Sequence, residues 1–412
     1  MKKAILNVTF LMFVVSSFAQ ENLLLDGKPI FENTTKNWFV SLNGWSDHGS
    51  NAITNTFVNR FLFGGHISNE EKLKVAEGLE NKNTFGADAG GNIALIYRRD
   101  EKPWAYQMGY GYTQIQRIDF EEAIFRLIFY GNAELGDETV RINSSESQSQ
   151  GFHKAFFGLV DTKTGSSLRI GIYAGENFNQ TELGNSTLRT SFESTQGFSY
   201  PSSIAIETAG FSETSGNMGS GLFSTGYGVG IDANINRKFG FGTVSLGVQD
   251  FGFMYWSDLE KRSSEGITTF DGFEIDFDGN GIQIGSSDSF TDSLFNIQTE
   301  TRSQTELLPW RLSATYISKA EKDVFTSVHL VVRPSVFALP HFTFALNYKL
   351  KESSFVWISG SAGGPEIFGI GIGAQVNLLD NTFVTVSSKH VSGWIAPNGL
   401  ARSLQFQIVQ RI

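Results

Sequence analysis

Residues 276–285 read DFDGNGIQIG, and the spacing of Asp276, Asp278 and Asn280 ahead of Gly281 could hold a calcium ion. Oxygen ligands on alternate residues before a turn-making glycine form the first half of an EF-hand loop. The second half departs from that pattern. A bidentate glutamate belongs at the twelfth position, and counting from Asp276 puts Ser287 there. The preceding TTFDGFEIDF alternates like a strand, and Asp-Gly and Asn-Gly accept positive φ cheaply. The stretch therefore reads as a hairpin turn, with a weak loop calcium site as the alternative, and no metal site is assigned.

Two other stretches look at first like nucleotide loops: GYGVGIDANIN (226–236) and GIGIGAQVNL (369–378). A phosphate loop follows a strand and opens a helix whose N-terminus faces the phosphate. These stretches keep a period of two instead. Tyr227, Val229, Ile231, Ala233 and Ile235 oppose glycines, Asp232, Asn234 and Asn236, while Ile370, Ile372, Ala374 and Val376 oppose glycines, Gln375 and Asn377. The six histidines (His48, His66, His153, His329, His341, His390) share no ligand spacing and form no H-E-x-x-H pair. No nucleophile–base arrangement emerges, so no catalytic residue and no cofactor is assigned, and the chain is read as no enzyme.

The elements that would position these residues follow from composition. The chain begins MKKAILNVTFLMFVVSSFAQ: two lysines, an apolar run, and small residues before Gln20. That predicts a secretory signal peptide over residues 1–19, followed by a single domain over 20–412. Removing Lys2 and Lys3 moves the formal charge from −10 to −12, which disfavours nucleic acid as a partner. The absence of cysteine rules out disulfides and thiolate metal sites. With 44 glycines, 37 phenylalanines and only 8 prolines, the chain is aromatic-rich and folded, and strands should dominate it.

The period-two alternation recurs at 37–46, 85–98, 104–117, 152–160, 167–178, 222–236, 240–255, 306–319, 324–333, 341–350, 354–361, 367–378, 382–390 and 402–412. Both a soluble sandwich and a membrane barrel would produce it; the connections separate them. Short links (99–103, 161–166, 238–239, 320–323, 351–353, 379–381) alternate with mostly long ones (47–84, 118–151, 179–221, 256–305). That rhythm predicts an all-β, transmembrane, antiparallel up-and-down barrel of about fourteen strands, with short amphipathic helices in its long loops. It predicts the outer membrane of a Gram-negative cell as the location, with both termini periplasmic. Trp38, Tyr97, Trp104, Tyr255, Trp256, Trp310 and Trp357 are expected in interfacial girdles. A bulge near Asp250 would reverse the facing of residues around it. The lumen candidates for ligand contact are Asp232, Asn234, Arg311, Asn347 and Gln375.

Helices are predicted at 55–65, at 68–80 behind a Ser68/Glu71 capping box, and at 119–132 starting from Asp119 and Glu122. Phe57, Phe61, Leu73, Ile124, Leu127 and Ile128 would form a lid over the pore mouth.

The motifs FLFGGHIS, FRLIFYGN, GYGVGIDANINRKFGFGTVSLGVQDFGFMYW, TTFDGFEID and LLPWRLSATY resemble a group of Gram-negative outer-membrane barrels of uncharacterised role. That group belongs with FadL-like fatty-acid transporters and with barrels associated with type IX secretion. The resemblance implies fourteen strands and a plugged lumen. Two features depart from it: the last residue is Ile412 rather than an aromatic, and Gln410 interrupts the apolar face; nor is an N-terminal hatch expected, because the first strand starts soon after the cleavage site. Two roles follow as expectations. One is passive uptake or binding of a small, perhaps hydrophobic, solute within outer-membrane lipid. The other is a partner-binding barrel serving a secretion or surface-protein complex.

Overall fold

The computed structural model describes residues 24–25, 28–32, 34–99, 102–131, 139–142, 145–184, 186–195, 198–216, 226–270, 297–319, 323–337, 339–351, 353–364, 366–378, 381–396 and 398–412. The signal-peptide stretch and the 276–285 turn lie outside these residues.

Fourteen antiparallel strands close a ring: β1 (Trp38–Ser50), β2 (Asn83–Arg98), β3 (Trp104–Phe120), β4 (Ser145–Asp161), β5 (Ser167–Leu183), β6 (Gly226–Phe239), β7 (Gly242–Phe270), β8 (Arg311–Ser318), β9 (Val324–Val332), β10 (His341–Lys351), β11 (Ser354–Gly363), β12 (Glu366–Asn377), β13 (Thr382–Ser388) and β14 (Ala401–Arg411). Each pairs with its neighbours in chain order, and β14 returns to β1 from Ala401↔Gly49 to Arg411↔Phe39. Closure leaves no exposed edge, so every backbone amide of the ring can be satisfied without water. Additional strands at 186–195, 198–216 and 298–307 carry the wall between β5 and β8 further toward the long-loop end.

The side-chain pattern decides between barrel and sandwich. Along β10, Phe342, Phe344, Leu346, Tyr348 and Leu350 are 45–55% exposed, while His341, Thr343, Ala345 and Asn347 between them are buried. Apolar groups point outward and polar groups inward, the reverse of a water-soluble sandwich. Leu168, Ile170 and Ile172 of β5 and Ile370 and Ile372 of β12 continue the same outer belt. This is a transmembrane barrel.

Two sequence expectations need correction here. Of the seven girdle residues, Trp38 and Tyr97 do stack at the outer rim, 4.6 Å apart, and Trp104 and Tyr255 are exposed. Trp256, however, is fully buried against Phe178, Trp310 lines an interior cavity, and Trp357 packs its indole where a Cβ on Gly373 would sit. Nearness to a strand end does not fix a residue's face: Tyr255 and Trp256 are adjacent on β7 and so point opposite ways. The β6–β7 turn is at 240–241 rather than 238–239, because pairing runs on to Phe239↔Gly242.

The N-terminal segment also differs from expectation. Ile30 and Phe31 are buried at the short-turn end among the inward side chains Phe39, Ile96, Ala105, Val160, Phe383 and Val409. Arg98 donates to the carbonyls of Phe31 (3.2 Å) and Thr34 (2.9 Å), and Arg411 donates to that of Glu32 (3.4 Å). A short apolar stopper therefore occupies the mouth where no hatch was expected. The dipeptide Ile30-Phe31 is too brief to register as an element by periodicity.

At the long-loop end sit α1 (Asn55–Phe63), α2 (Asn69–Glu77) and α3 (Glu122–Tyr130). Thr54 caps α1 by accepting from the Phe57 amide. Ser68 and Glu71 form the expected capping box on α2: the Glu71 amide donates to Ser68 Oγ (3.2 Å) and the Ser68 amide to the Glu71 carboxylate (2.8 Å). The start of α3 is later than expected. β2–β3 pairing extends to Asn83↔Phe120, which holds Asp119 in the strand, where it accepts from Thr84 (2.6 Å) and Arg117 (2.8 Å). The helices pack through Phe57, Val75 and Phe125, with Phe57 4.8 Å from the Phe129 ring. Ile124 and Leu127 are half-buried, Leu73 and Ile128 are exposed, and the Phe61 side chain lies outside the described residues. The three helices pack on one another, and α3 presents Phe125 and Phe129 to that cluster rather than the stripe through Ile128.

Candidate functional site

The interior between Ile30–Phe31 and the helical cluster is crossed by a layer of charge. Inward positions of β1, β2, β4, β5 and β6 supply Asp47, Asp88, Lys154, Arg169 and Asp232. A bulge in β7 supplies Asp250: Ile231↔Phe251 and Ala233↔Val248 leave two residues opposite Asp232, and Asp250 adopts φ 53°. The bulge aims Gln249 and Asp250 into the same cavity, which a regular strand cannot do with consecutive residues. β8 supplies Arg311 just past a break at 308–310, and Arg333 and Lys389 follow β9 and β13.

These groups form two chains of alternating sign. In the first, Arg169 meets Asp232 at 3.0 Å, Lys154 donates to Asp232 (2.6 and 2.7 Å) and to Asp250 (2.7 Å), and the Tyr173 hydroxyl donates to Asp250 (2.7 Å). In the second, Arg311 donates to Asp88 (2.6 Å), Arg333 to Asp88 (2.8 Å) and to Asp47 (2.7 Å), and Lys389 to Asp47 (3.0 Å). The Trp45 indole N–H also donates to Asp88, at 2.7 Å. β2 and β8 lie nearly half the ring apart, so the Asp88–Arg311 contact ties one wall to the other across the lumen.

The segment 333–337, just past β9, makes the second crossing. It leaves β9 in a tight turn, with the Val336 and Phe337 amides donating to the Arg333 carbonyl (3.0 Å each), and folds inward. Val336 and Phe337 bury against Ile115 of β3, and Arg117 of β3 donates to the Pro334 carbonyl at 2.6 Å. Gly86 of β2 makes the approach possible, because a Cβ there would lie 2.5 Å from the Phe337 ring. The Arg333 guanidinium stacks over that ring at 5.0 Å. What remains between the two chains is a cavity of about 50 Å³, lined by Trp45, Asp88, Lys154, Asp232, Asp250, Arg311 and Arg333 among others. That is room for a few waters, far below the several hundred Å³ of an ordinary ligand pocket.

The five lumen candidates divide. Asp232 and Arg311 line the cavity from opposite chains. The others lie nearer the short turns, where their amides bond within the wall. Asn234 donates to Asn236 (3.2 Å), Asn347 to Ser327 (3.2 Å) and the Phe325 carbonyl (3.3 Å), and Gln375 to the Ser353 carbonyl (3.1 Å). The candidate list lacked Asp47, Asp88, Lys154, Arg169, Asp250, Arg333 and Lys389. A signal for several was present: charged residues on strands whose other face is lipid-directed are costly unless they face a lumen, as in GADAGG and GFHKAFFG.

A profile described as "Family of unknown function (DUF5723)" matches residues 32–386, most of the chain. The chain belongs to that family. Among solved structures, this DUF5723 barrel is similar to the Ralstonia pickettii toluene transporter TbuX (10% identity over 92% of this chain and 90% of that one, TM-score 0.42). It is also similar to the Pseudomonas putida toluene transporter TodX (10%, 96% and 93%, 0.36) and to a Pseudomonas aeruginosa FadL homologue (7%, 91% and 90%, 0.37). Similarity at this level assigns no solute to the DUF5723 chain. No curated protein matches it.

Proposed function

We propose that this barrel is a gated passage for a small solute across a Gram-negative outer membrane, oriented with its short turns and termini in the periplasm. The observation that carries the reading is the 333–337 segment, folded into the lumen and clasped to the far wall through Arg333, Asp47 and Asp88. A barrel serving only as a membrane anchor has no need of a separate inward connection, whereas a gate needs a movable one. The Ile30–Phe31 stopper and the helical lid close the same path at its two ends. This reading gives the charged layer to closure and selection rather than to covalent chemistry. The test is solute flux into proteoliposomes with 334–340 replaced by a Gly-Ser linker. A rise over the wild-type protein is expected; a variant as tight as wild type sinks the proposal.

A second reading, a partner-binding barrel of a secretion or surface complex, is favoured by one observation. Phe63, Leu73, Ile128, Trp394 and Ile395, all from long-loop-end segments, are more than half exposed. Apolar groups outside the lipid belt mark contact surfaces. Affinity capture from native membranes, before and after changing Phe63 and Ile128 to serine, tests it: a stoichiometric protein lost with the variant supports docking.

A further inference from the structure

Resting on the passage reading, we infer that the solute is a small zwitterion, admitted by exchanging its own two charges for the ion pairs that cross the lumen. Any solute passing the clasp has to part Asp88 from Arg311 and Arg333, and Asp47 from Arg333. Asp47 and Asp88 are 2% exposed and Arg333 is 8% exposed, so each separated charge is left in a poorly hydrated interior. Leaving one partner of a buried pair uncompensated is strongly unfavourable. The adjoining cavity, at about 50 Å³, admits too few waters to solvate both sides at once.

The solute itself therefore has to supply the compensation, and its chemistry follows from what is left bare. An apolar molecule compensates nothing. An anion answers Arg311 or Arg333 and strands Asp88; a cation answers Asp88 and strands the guanidiniums. A molecule carrying both charges answers both. The facing chain presents the same alternation, with Lys154 held by Asp232 and Asp250 at 2.6–2.7 Å, so the solute meets both signs on both sides of the cavity. Trp45, Phe156 and Trp310 complete the lining with aromatic surface on which an ammonium group can rest.

The experiment is tracer uptake at neutral pH into proteoliposomes of the full-length barrel, with four solutes of similar size: β-alanine, ethanesulfonate, choline and erythritol. β-Alanine is expected to enter faster than each of the others by on the order of tenfold. The double variant Asp88→Asn/Arg311→Gln, which removes the crossing pair as a unit, is expected to lose that preference while still running as a heat-modifiable barrel on gels. If the variant does not fold, the ranking in wild type decides alone. If wild type passes none of the four, the ranking is read in the 334–340 linker variant, which keeps Arg333 and the charged chains. Equal uptake of all four, or faster uptake of a singly charged or neutral solute, overturns the zwitterion inference and leaves the passage standing. No uptake in either protein overturns the passage itself.

Discussion

The outer face of β10 and the interior it encloses are built by opposite rules. On the outer face, Phe342 to Leu350 alternate without interruption, each strand pairs with the next in the chain, and any large apolar side chain would serve. In the interior, contacts join residues far apart in sequence, such as Arg333 with Asp88 and Lys389 with Asp47, and each group has particular partners. Three backbone irregularities serve the second region: the bulge at Asp250, the break at 308–310, and the inward turn at 333–337. Regular strands suffice to meet lipid; aiming charges at one another across a lumen requires departures from regularity.

The largest test of that contrast sets Asp88→Leu against Phe344→Leu. Removing Asp88 takes from buried Arg311 the carboxylate it is paired with, leaves Arg333 with Asp47, and should cost about 3–5 kcal/mol, whereas lipid fills the space left by Phe344 at a cost of no more than about 1 kcal/mol. Denaturant midpoints of the purified barrels measure both, and equal losses would erase the distinction. Gly86→Val comes next. Its side chain would occupy the space of the Phe337 ring, so the connection should be expelled and solute flux should rise with the barrel intact. Flux that stays at the wild-type level would mean that the connection does not close the path.

Smaller effects belong to the lid, whose packing is local. Phe57→Ala removes the ring that meets both Phe125 and Phe129, and should cost the lid about 3 kcal/mol. Faster proteolysis of residues 55–80 with an unchanged gel shift is the expected readout. Ser68→Ala removes one cap and should cost α2 about 1 kcal/mol, seen as faster amide exchange over residues 69–77. The reciprocal half of that box is pH-dependent. The Ser68 backbone amide holds the Glu71 carboxyl below its usual 4.5, so its contribution is complete above that value. It is lost as the pH falls through the lowered folded value, and exchange of α2 amides should accelerate only in that acid range, and not in Glu71→Gln.

Much of the wall was legible because its information is local. A period of two, broken by short and long connections, located each strand of the ring, although the long-loop ends of β4 and β7 run well past the expected bounds, and the Ser68/Glu71 box was readable from four consecutive positions. The inward face was legible only where alternation held. Asp232 and Arg311 were read as inward-facing, but Trp256 and Trp310 were placed in the girdle by nearness to strand ends, which does not fix a face: Trp256 points opposite its neighbour Tyr255, and Trp310 sits in the break before β8. The plug residues left little local trace. RPSVFALP, with a proline near each end, looks like an ordinary connection, and nothing within it says that Phe337 will lie against Gly86.

By itself, then, the sequence determined that this chain meets lipid with one face of each strand, because that demand is imposed residue by residue and repeats. Only the tertiary structure decided which charges meet inside. Asp47, Asp88, Arg311, Arg333 and Lys389 become neighbours only once the ring has closed and its walls have approached. Their pairing is set by reach and desolvation across a confined space, which one-dimensional spacing does not encode.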